Sequence, residues 1–385
     1  MLAGMESLYR RPLPPALIAF ASPEGRALFD AARAAGGMEA FFPLIEQFHT
    51  QAEPAFCGLG TLVVALNALG VDPGRLWKGP WRWFSEELLD CCSPLERVRE
   101  RGLTLDEVAC LARCNGAGVE VSRPDAHDVA AFRGALAAAA RTPASPVMIV
   151  SYSRRALGQT GDGHFSPIGG YDPGSDHALV LDVARFKYPP HWVPVPALHA
   201  AMLPVDAVTG RPRGWMLLRR RERPASLLFT ARCVGDDSFE ALPAALAAVQ
   251  AALREAAPRD LESALRAMFA AVSRFPVTIA ARELAFSEHG SAAGALLAAL
   301  RDTPVHAAVA AADRSPWSAD AATLLVLALP EHVWSPLPDE LRARWLALLG
   351  RERLSPALRV EVDHVRGQIA DLCALRTASP CARCG

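Results

Sequence analysis

No stretch of the 385-residue chain runs for about 18 uninterrupted apolar residues, so the sequence carries no signal for a membrane-spanning helix. The opening MLAGMESLYRRPLPP has no apolar core suited to a signal peptide, and Glu6 argues against a transit peptide. Blocks of like charge are absent too. The formal net charge is −1, which excludes a strong field for nucleic acid or an anionic membrane. The densest basic run, RRRER (219–223), reads as a solvated joint. No internal repeat stands out. Cysteine is sparse, at nine in 385 residues, too dilute for a thiol-rich metal store. Without an export signal these residues are expected as reduced thiols in a cytoplasmic protein.

What is present changes character along the chain. Residues 1–222 mix aromatics, Gly-Pro turns and apolar strand segments, whereas 236–376 is rich in Ala, Leu and Arg with few strand signals. The reading is α+β, with a first domain over 1–222, a mainly helical domain over 223–376, and a loose tail, TASPCARCG, over 377–385. In the first domain, Ser22-Pro23 and Gly36-Gly37 bracket a helix. Thr104 and Glu107 form a capping box for a second, ended by Asn115-Gly116. PVMIVSY (146–152) is a buried strand candidate. HFSPIGGYD (164–172) and HALVLDVA (177–184) predict two strands joined by a Pro-Gly turn.

The segment QAEPAFCGLGTLVVALNALG (51–70) raises a chemical question. Leu59, Leu62, Val63 and Leu66 follow a helical spacing and Gly70 supplies the stop. That places Cys57 at a helix N-terminus, where unpaired amides and the macrodipole favour a thiolate. The same position suits a small buried residue at a tight helix start. Three other residues favour chemistry. His164 follows the flexible TGDG turn and Asp182 lies within an apolar strand segment, where a carboxylate needs a partner. Pairing of those neighbouring strands would bring imidazole and carboxylate together. Gln51, six residues before Cys57, supplies an amide N–H for an oxyanion. Nucleophile, base, orienting group and oxyanion donor then form one set.

Those residues lie in long segments, RRPLPPALIAFASPEGRALF, HTQAEPAFCGLGTLVVALNALGVDPGR, LWKGPWRWFSEELLDCC, GHFSPIGGYD and LDVARFKYPPHWVP, which together resemble the phytochelatin synthase family over about residues 8–222. The resemblance implies a papain-like fold, with helices packed on an antiparallel sheet. It implies joining of γ-Glu-Cys units into phytochelatins, with glutathione as acyl donor and acceptor and with loss of glycine. Cadmium, zinc or copper would act as activators or as metal–glutathione thiolate substrate, with no organic cofactor. Glutathione and phytochelatins are then the partners, with no nucleic acid or membrane, and a homodimer is one open arrangement. Carried over by position, Cys57 is the nucleophile, His164 the base and acid, Asp182 the orienting carboxylate and Gln51 the oxyanion amide. Arg154, Arg185 and Lys187 become candidates for the glutathione carboxylates, with Gly163 beside them. Arg185 and Lys187 are expected on one face of the strand end after Asp182. Two departures stand out: Phe56 replaces a usual tyrosine, and Asp162 stands where a neutral residue is common. A carboxylate there would raise the His164 pKa if close. The competing activity is a glutathione-cleaving peptidase that passes the acyl group to water.

The remaining cysteines allow two readings. Cys110 and Cys114 are expected on the helix side opposite the stripe of Leu105, Val108, Ala109 and Ala112. With Cys91 and Cys92 they match family positions tied to metal response, yet each could simply pack. Cys381 and Cys384, with Cys373 upstream, have metal-ligand spacing, but a single CxxC is a weak signal. Trp77, Trp81 and Trp83 could form a ligand-stacking box, but packing in a core or at a domain face is the expectation.

Overall fold

The computed structural model describes residues 9–74, 76–91, 93–143, 146–221, 229–233, 242–271, 277–281, 287–312 and 318–374. The chain divides into two compact units. One takes in the chain up to Asp72, Phe84–Asp90 and Leu95–Arg221. The other takes in Pro73–Trp83, Cys91–Pro94 and the chain from Glu222.

In the first unit the elements run β1 (Ile18–Ala19), α1 (Pro23–Ala34), α2 (Phe41–Gln47), α3 (Cys57–Ala68), α4 (Leu95–Arg101), α5 (Leu105–Cys114), β2 (Ala117–Ser122), α6 (Val129–Ala140), β3 (Val147–Ser153), β4 (Gly163–Asp172), β5 (His177–Val180), β6 (His191–Pro194), α7 (Val195–Ala200) and β7 (Gly214–Arg220). The local signals act as expected. Ser22 Oγ accepts from Gly25 N–H at 3.0 Å at the start of α1. At α5, Glu107 N–H donates to Thr104 Oγ1 at 3.2 Å and Thr104 N–H to Glu107 Oε2 at 2.8 Å, which satisfies two orphan amides reciprocally.

The seven strands form one antiparallel sheet in the order β1-β6-β5-β4-β3-β7-β2. β3 is buried along its whole length. Phe132 and Leu136 of α6 pack with Met148, Val150 and Trp215 in the core against the sheet. The register pairs Tyr152 with His164 and Ser151 with Gly214. The end of β3 and the starts of β4 and β7 therefore meet at one end of the sheet.

Every residue of α3 from Cys57 to Leu66 is buried, which makes it a core helix. One expectation changes here. The hairpin of β4 and β5 forms, with Ile168 opposite Val180, but β5 stops at Val180. Asp182 and the Arg185–Lys187 segment follow it in a turn region.

In the second unit, β8 (Phe229–Cys233) pairs antiparallel with β9 (Val277–Ala281), a two-stranded sheet that the Ala-rich composition did not announce. The helices are α8 (Leu242–Ala256), α9 (Leu261–Ala271), α10 (Ser287–Arg301), α11 (Pro304–Ala312), α12 (Ala319–Ala328), α13 (Asp339–Leu348) and α14 (Pro356–Ala374). α12 is buried from Ala321 to Ala328. Trp334 and Trp345 meet edge to face, with centroids 5.2 Å apart. Leu358, Val362, Val365 and Ile369 give α14 a buried stripe at helical spacing. Trp81 is 71% exposed, so the expected packing of that tryptophan is not met. The tail over 377–385 lies outside the described residues, and no described helix is long and apolar enough to cross a membrane.

Candidate active site

Cys57 is the first residue of α3, and Phe56 before it offers no side-chain cap. The first-turn amides of a helix have no intrahelical acceptor, so they remain available beside the sulfur. Close packing fixes the helix start. A Cβ on Gly58 would stand 2.9 Å from Val108 Cγ2, and one on Gly60 would stand 2.9 Å from Glu86 Oε1. Burial pushes the Cys57 thiol above its ordinary value. It outweighs the Phe165 backbone hydrogen bond, the Arg154 charge and the Gly58 backbone hydrogen bond, all of which favour the anion. Desolvation therefore opposes the thiolate that the helix start favours.

His164 is the second residue of β4, and the amide of its successor, Phe165, is the one that reaches the Cys57 sulfur. His164 Nε2 lies 2.9 Å from Asp182 Oδ1. Asp182 is fully buried and accepts Ala184 N–H on the same oxygen at 2.9 Å. The tautomer that donates Nε2–H to Asp182 leaves the Nδ1 lone pair to receive a proton. Burial first, and then the Arg154 charge, lower the imidazole pKa to about 4. At neutral pH the ring is therefore an uncharged base. Burial alone would raise Asp182, but attraction and hydrogen bonding from His164, together with Arg154, hold it well below the ordinary carboxylate range.

Arg154 is bonded to the triad carboxylate. Its Nη2 donates to Asp182 Oδ1 at 2.9 Å and lies 2.8 Å from Oδ2. The same nitrogen is 2.9 Å from His164 Nε2. Nη1 donates to Gln159 Oε1 at 2.9 Å, and the guanidinium stacks 5.1 Å above the Tyr188 ring. Gln159 Nε2 in turn reaches His191 Nε2 at 3.2 Å, while His191 Nδ1 faces Pro189 O at 2.8 Å. Arg154 is thus committed to the triad carboxylate. Arg185 is exposed and stacks 5.1 Å over Phe48. Gln51 donates both amide hydrogens away from the sulfur, to Glu53 O at 2.7 Å and Pro54 O at 3.0 Å. It braces the loop that enters α3. In this structure the first-turn amides of α3 take over as the candidate oxyanion donors.

A cavity of about 500 Å³ opens onto these groups. Cys57, His164, Arg154, Lys187 and Gly163 all line it, so the sulfur, the base and three of the four expected substrate contacts share one space. Lys187 is part-buried, and burial followed by the Arg154 charge lowers its pKa. The cavity also holds residues the sequence reading missed: Ser151, Asp206, Arg213 and the Arg101–Glu107 pair. Arg213 is buried directly before β7. A cation opening an apolar strand was the available signal. Asp162 lines the same cavity, but it turns to Ser153 Oγ, at 2.6 Å, and Arg213. It does not raise His164.

Among the described residues no three side chains of metal-binding type come together. Cys91 and Cys114 are buried. Cys110 is fully buried and disulfide-bonded, contrary to the expected outward pair of reduced thiols. Cys92, Cys381, Cys384 and the side chain of Cys373 lie outside the described residues. The described donor set does not fit a resident metal.

Comparison with known proteins follows the same residues. The family model described as Phytochelatin synthase matches residues 8–215, just over half of the chain. Glutathione gamma-glutamylcysteinyltransferase 3 of Lotus japonicus is 53% identical over 227 residues, covering 59% of this chain and 47% of that protein. Glutathione gamma-glutamylcysteinyltransferase 1 of Arabidopsis thaliana is 52% identical over 238 residues, covering 62% and 49%. The Schizosaccharomyces pombe glutathione gamma-glutamylcysteinyltransferase is 45% identical over 223 residues, covering 58% and 54%. The chain spans about half the length of the curated relatives it matches.

Proposed function

We propose a function from one premise, that this chain belongs to the phytochelatin synthase family: it is a γ-glutamylcysteine dipeptidyl transpeptidase that makes phytochelatins from glutathione. The observation that carries the reading is the buried set of Cys57, His164 and Asp182. Its imidazole–carboxylate bond is 2.9 Å, and the amide after His164 bonds the sulfur.

The chemistry balances on these groups. His164 Nδ1 takes the Cys57 proton as the sulfur attacks the carbonyl carbon of the Cys-Gly bond in glutathione. The tetrahedral oxyanion forms beside the first-turn amides of α3, which donate to it without moving. Asp182 stabilises the transient imidazolium. The carbon–nitrogen bond breaks, the imidazolium protonates the departing glycine amine, and a γ-Glu-Cys thioester remains on Cys57. A second glutathione, or a longer phytochelatin, then attacks through its α-amine and gives its proton to His164. The new peptide bond expels the sulfur, which recovers that proton. Covalent transfer of this kind is ping-pong.

Glutathione brings two carboxylates and one ammonium. Lys187 and Arg213 supply positive charge in the cavity, and Arg213 presents the planar fork that suits a carboxylate. Asp206 supplies the opposite sign near the ammonium. Cadmium, zinc or copper enters as a metal–glutathione thiolate substrate, so no step needs a protein-held metal. A cytoplasmic setting accords with a supply of reduced glutathione.

The test is direct. Purified protein is incubated with glutathione, with and without cadmium, and the thiol peptides are weighed by mass spectrometry. Peptides longer by one γ-Glu-Cys unit are expected, with one glycine released for each. Glycine and γ-Glu-Cys without longer peptides would mark a peptidase instead.

A further inference from the structure

Arg213 is an arginine buried in a cavity wall, and its charge balance is unusual. Nη1 donates to Pro204 O at 2.8 Å. The carboxylate that Nη2 faces is Asp162, at 3.4 Å. A tight guanidinium–carboxylate contact is about 2.7–2.9 Å, so this pair is loose. The two sides also differ in access: the Arg213 side chain is 6% exposed and that of Asp162 is 50% exposed. Asp162 is held independently, because Ser153 Oγ donates to its Oδ1 at 2.6 Å. It can release Arg213 without losing its place. The other carboxylates at the site are not comparable: Glu107 is bonded to Arg101 and Asp182 to Arg154, and Asp206 accepts Val208 N–H at 2.8 Å, while the ion pair of Arg213 is with Asp162. Gly163, between Asp162 and His164, leaves the face of Arg213 uncovered: a Cβ there would lie 3.3 Å from Nη2.

We propose that Asp162 is an internal stand-in for a substrate carboxylate: it neutralises Arg213 in the empty cavity, yields the guanidinium to a carboxylate of glutathione, and so sets affinity by competition. The physical need is clear. A buried guanidinium without a counter-charge is costly, so an empty pocket built around Arg213 needs a resident anion. That anion must be displaced by the ligand, and part of the ligand's binding free energy is spent on the exchange. The proposal rests on the reading that Arg213 receives a glutathione carboxylate. It goes further in assigning Asp162 to oppose binding, not to assist it.

The sign of the effect separates this from the obvious alternative, in which Asp162 holds the substrate ammonium. The experiment measures glutathione binding by calorimetry in a Cys57→Ala background, where no turnover occurs. Asp162→Asn keeps the polar contact with Ser153 and removes the charge, and Asp162→Ser serves as a second variant. Both are expected to tighten glutathione binding about fivefold, the size of one solvent-accessible ion pair. Both also lower the melting temperature, because Arg213 loses its counter-charge. In an Arg213→Gln background the Asp162 substitution no longer tightens binding, since the two residues act on one exchange. Weaker or unchanged binding in the Asp162 variants with Arg213 intact would overturn the stand-in role. Unchanged binding in Arg213→Gln alone would instead overturn the reading on which it rests.

Discussion

The two walls of the cavity place their reactive groups by different physics. The helix wall, formed by the loop from Gln51, the start of α3 and the α4–α5 connection, positions Cys57 by exclusion of space. Gly58 has no room for a methyl group against Val108, and the first ten residues of α3 are buried. The sheet wall, formed by the ends of β3, β4 and β7, positions His164 by charge. Asp182, Arg154, Gln159 and His191 make a continuous buried chain of hydrogen bonds behind the imidazole. The lesson is that the sulfur is held and desolvated by packing, while the base is oriented by a carboxylate that is itself clamped by a cation.

Substitutions on the two walls should therefore fail in different ways. The largest effect belongs to the sulfur: Cys57→Ala is expected to lower γ-Glu-Cys transfer by about 10⁴-fold or more while the protein still unfolds cooperatively in urea. Next comes the clamp. Asp182→Asn should cost on the order of 10³-fold in transfer, because the amide loses the negative charge that stabilises the imidazolium. It should also lose about 3–5 kcal/mol of stability, because Arg154 becomes an unpaired buried charge. A loss of activity with full stability would contradict the picture of a mutually dependent pair.

The pH profile sharpens the contrast. His164 has a folded pKa of about 4 against an ordinary 6.5, so the acid limb of kcat/KM is expected near pH 4. Below that it falls about tenfold per pH unit. Stability follows the same group. Between pH 6.5 and 4 the unfolded chain binds a proton at this position that the folded chain does not, so stability declines as pH falls through that window. His164→Ala should flatten this part of a stability–pH curve, and an unchanged curve would contradict the assignment.

On the helix wall the expected losses are steric and smaller. Gly58→Ala should destabilise by about 1–3 kcal/mol through overpacking, read by urea denaturation. Smallest is Thr104→Ala, which removes one half of the capping box and should cost about 1 kcal/mol. If Gly58→Ala proved neutral, packing would not be what sets the helix start.

What the sequence made legible divides along the same line. The caps of α1 and α5, the helix that begins at Cys57, and the pairing of the His164 strand with its successor all depend on neighbours within a few residues. Local signals were enough for them. Arg154 could not be read, because its partner Asp182 lies 28 positions away and only the meeting of strand ends brings them together. Gln51 was assigned the right neighbourhood but not its bonds, because the carbonyls of Glu53 and Pro54 turn inward only in the folded loop. The shared face of Arg185 and Lys187 was not legible, because β5 ends before Asp182 and strand alternation does not govern the residues after it. The cysteines of α5 failed for a related reason. An apolar stripe can be read from spacing, but whether the opposite side is also covered depends on what packs there.

Intact-protein mass after rapid acid quench, with glutathione as the only acyl donor, tests the central claim most directly. The account predicts one γ-Glu-Cys acyl group on Cys57 and one glycine released per protein before a second glutathione reacts. An unmodified protein that still elongates thiol peptides, or a Cys57→Ala protein that does so, would contradict it.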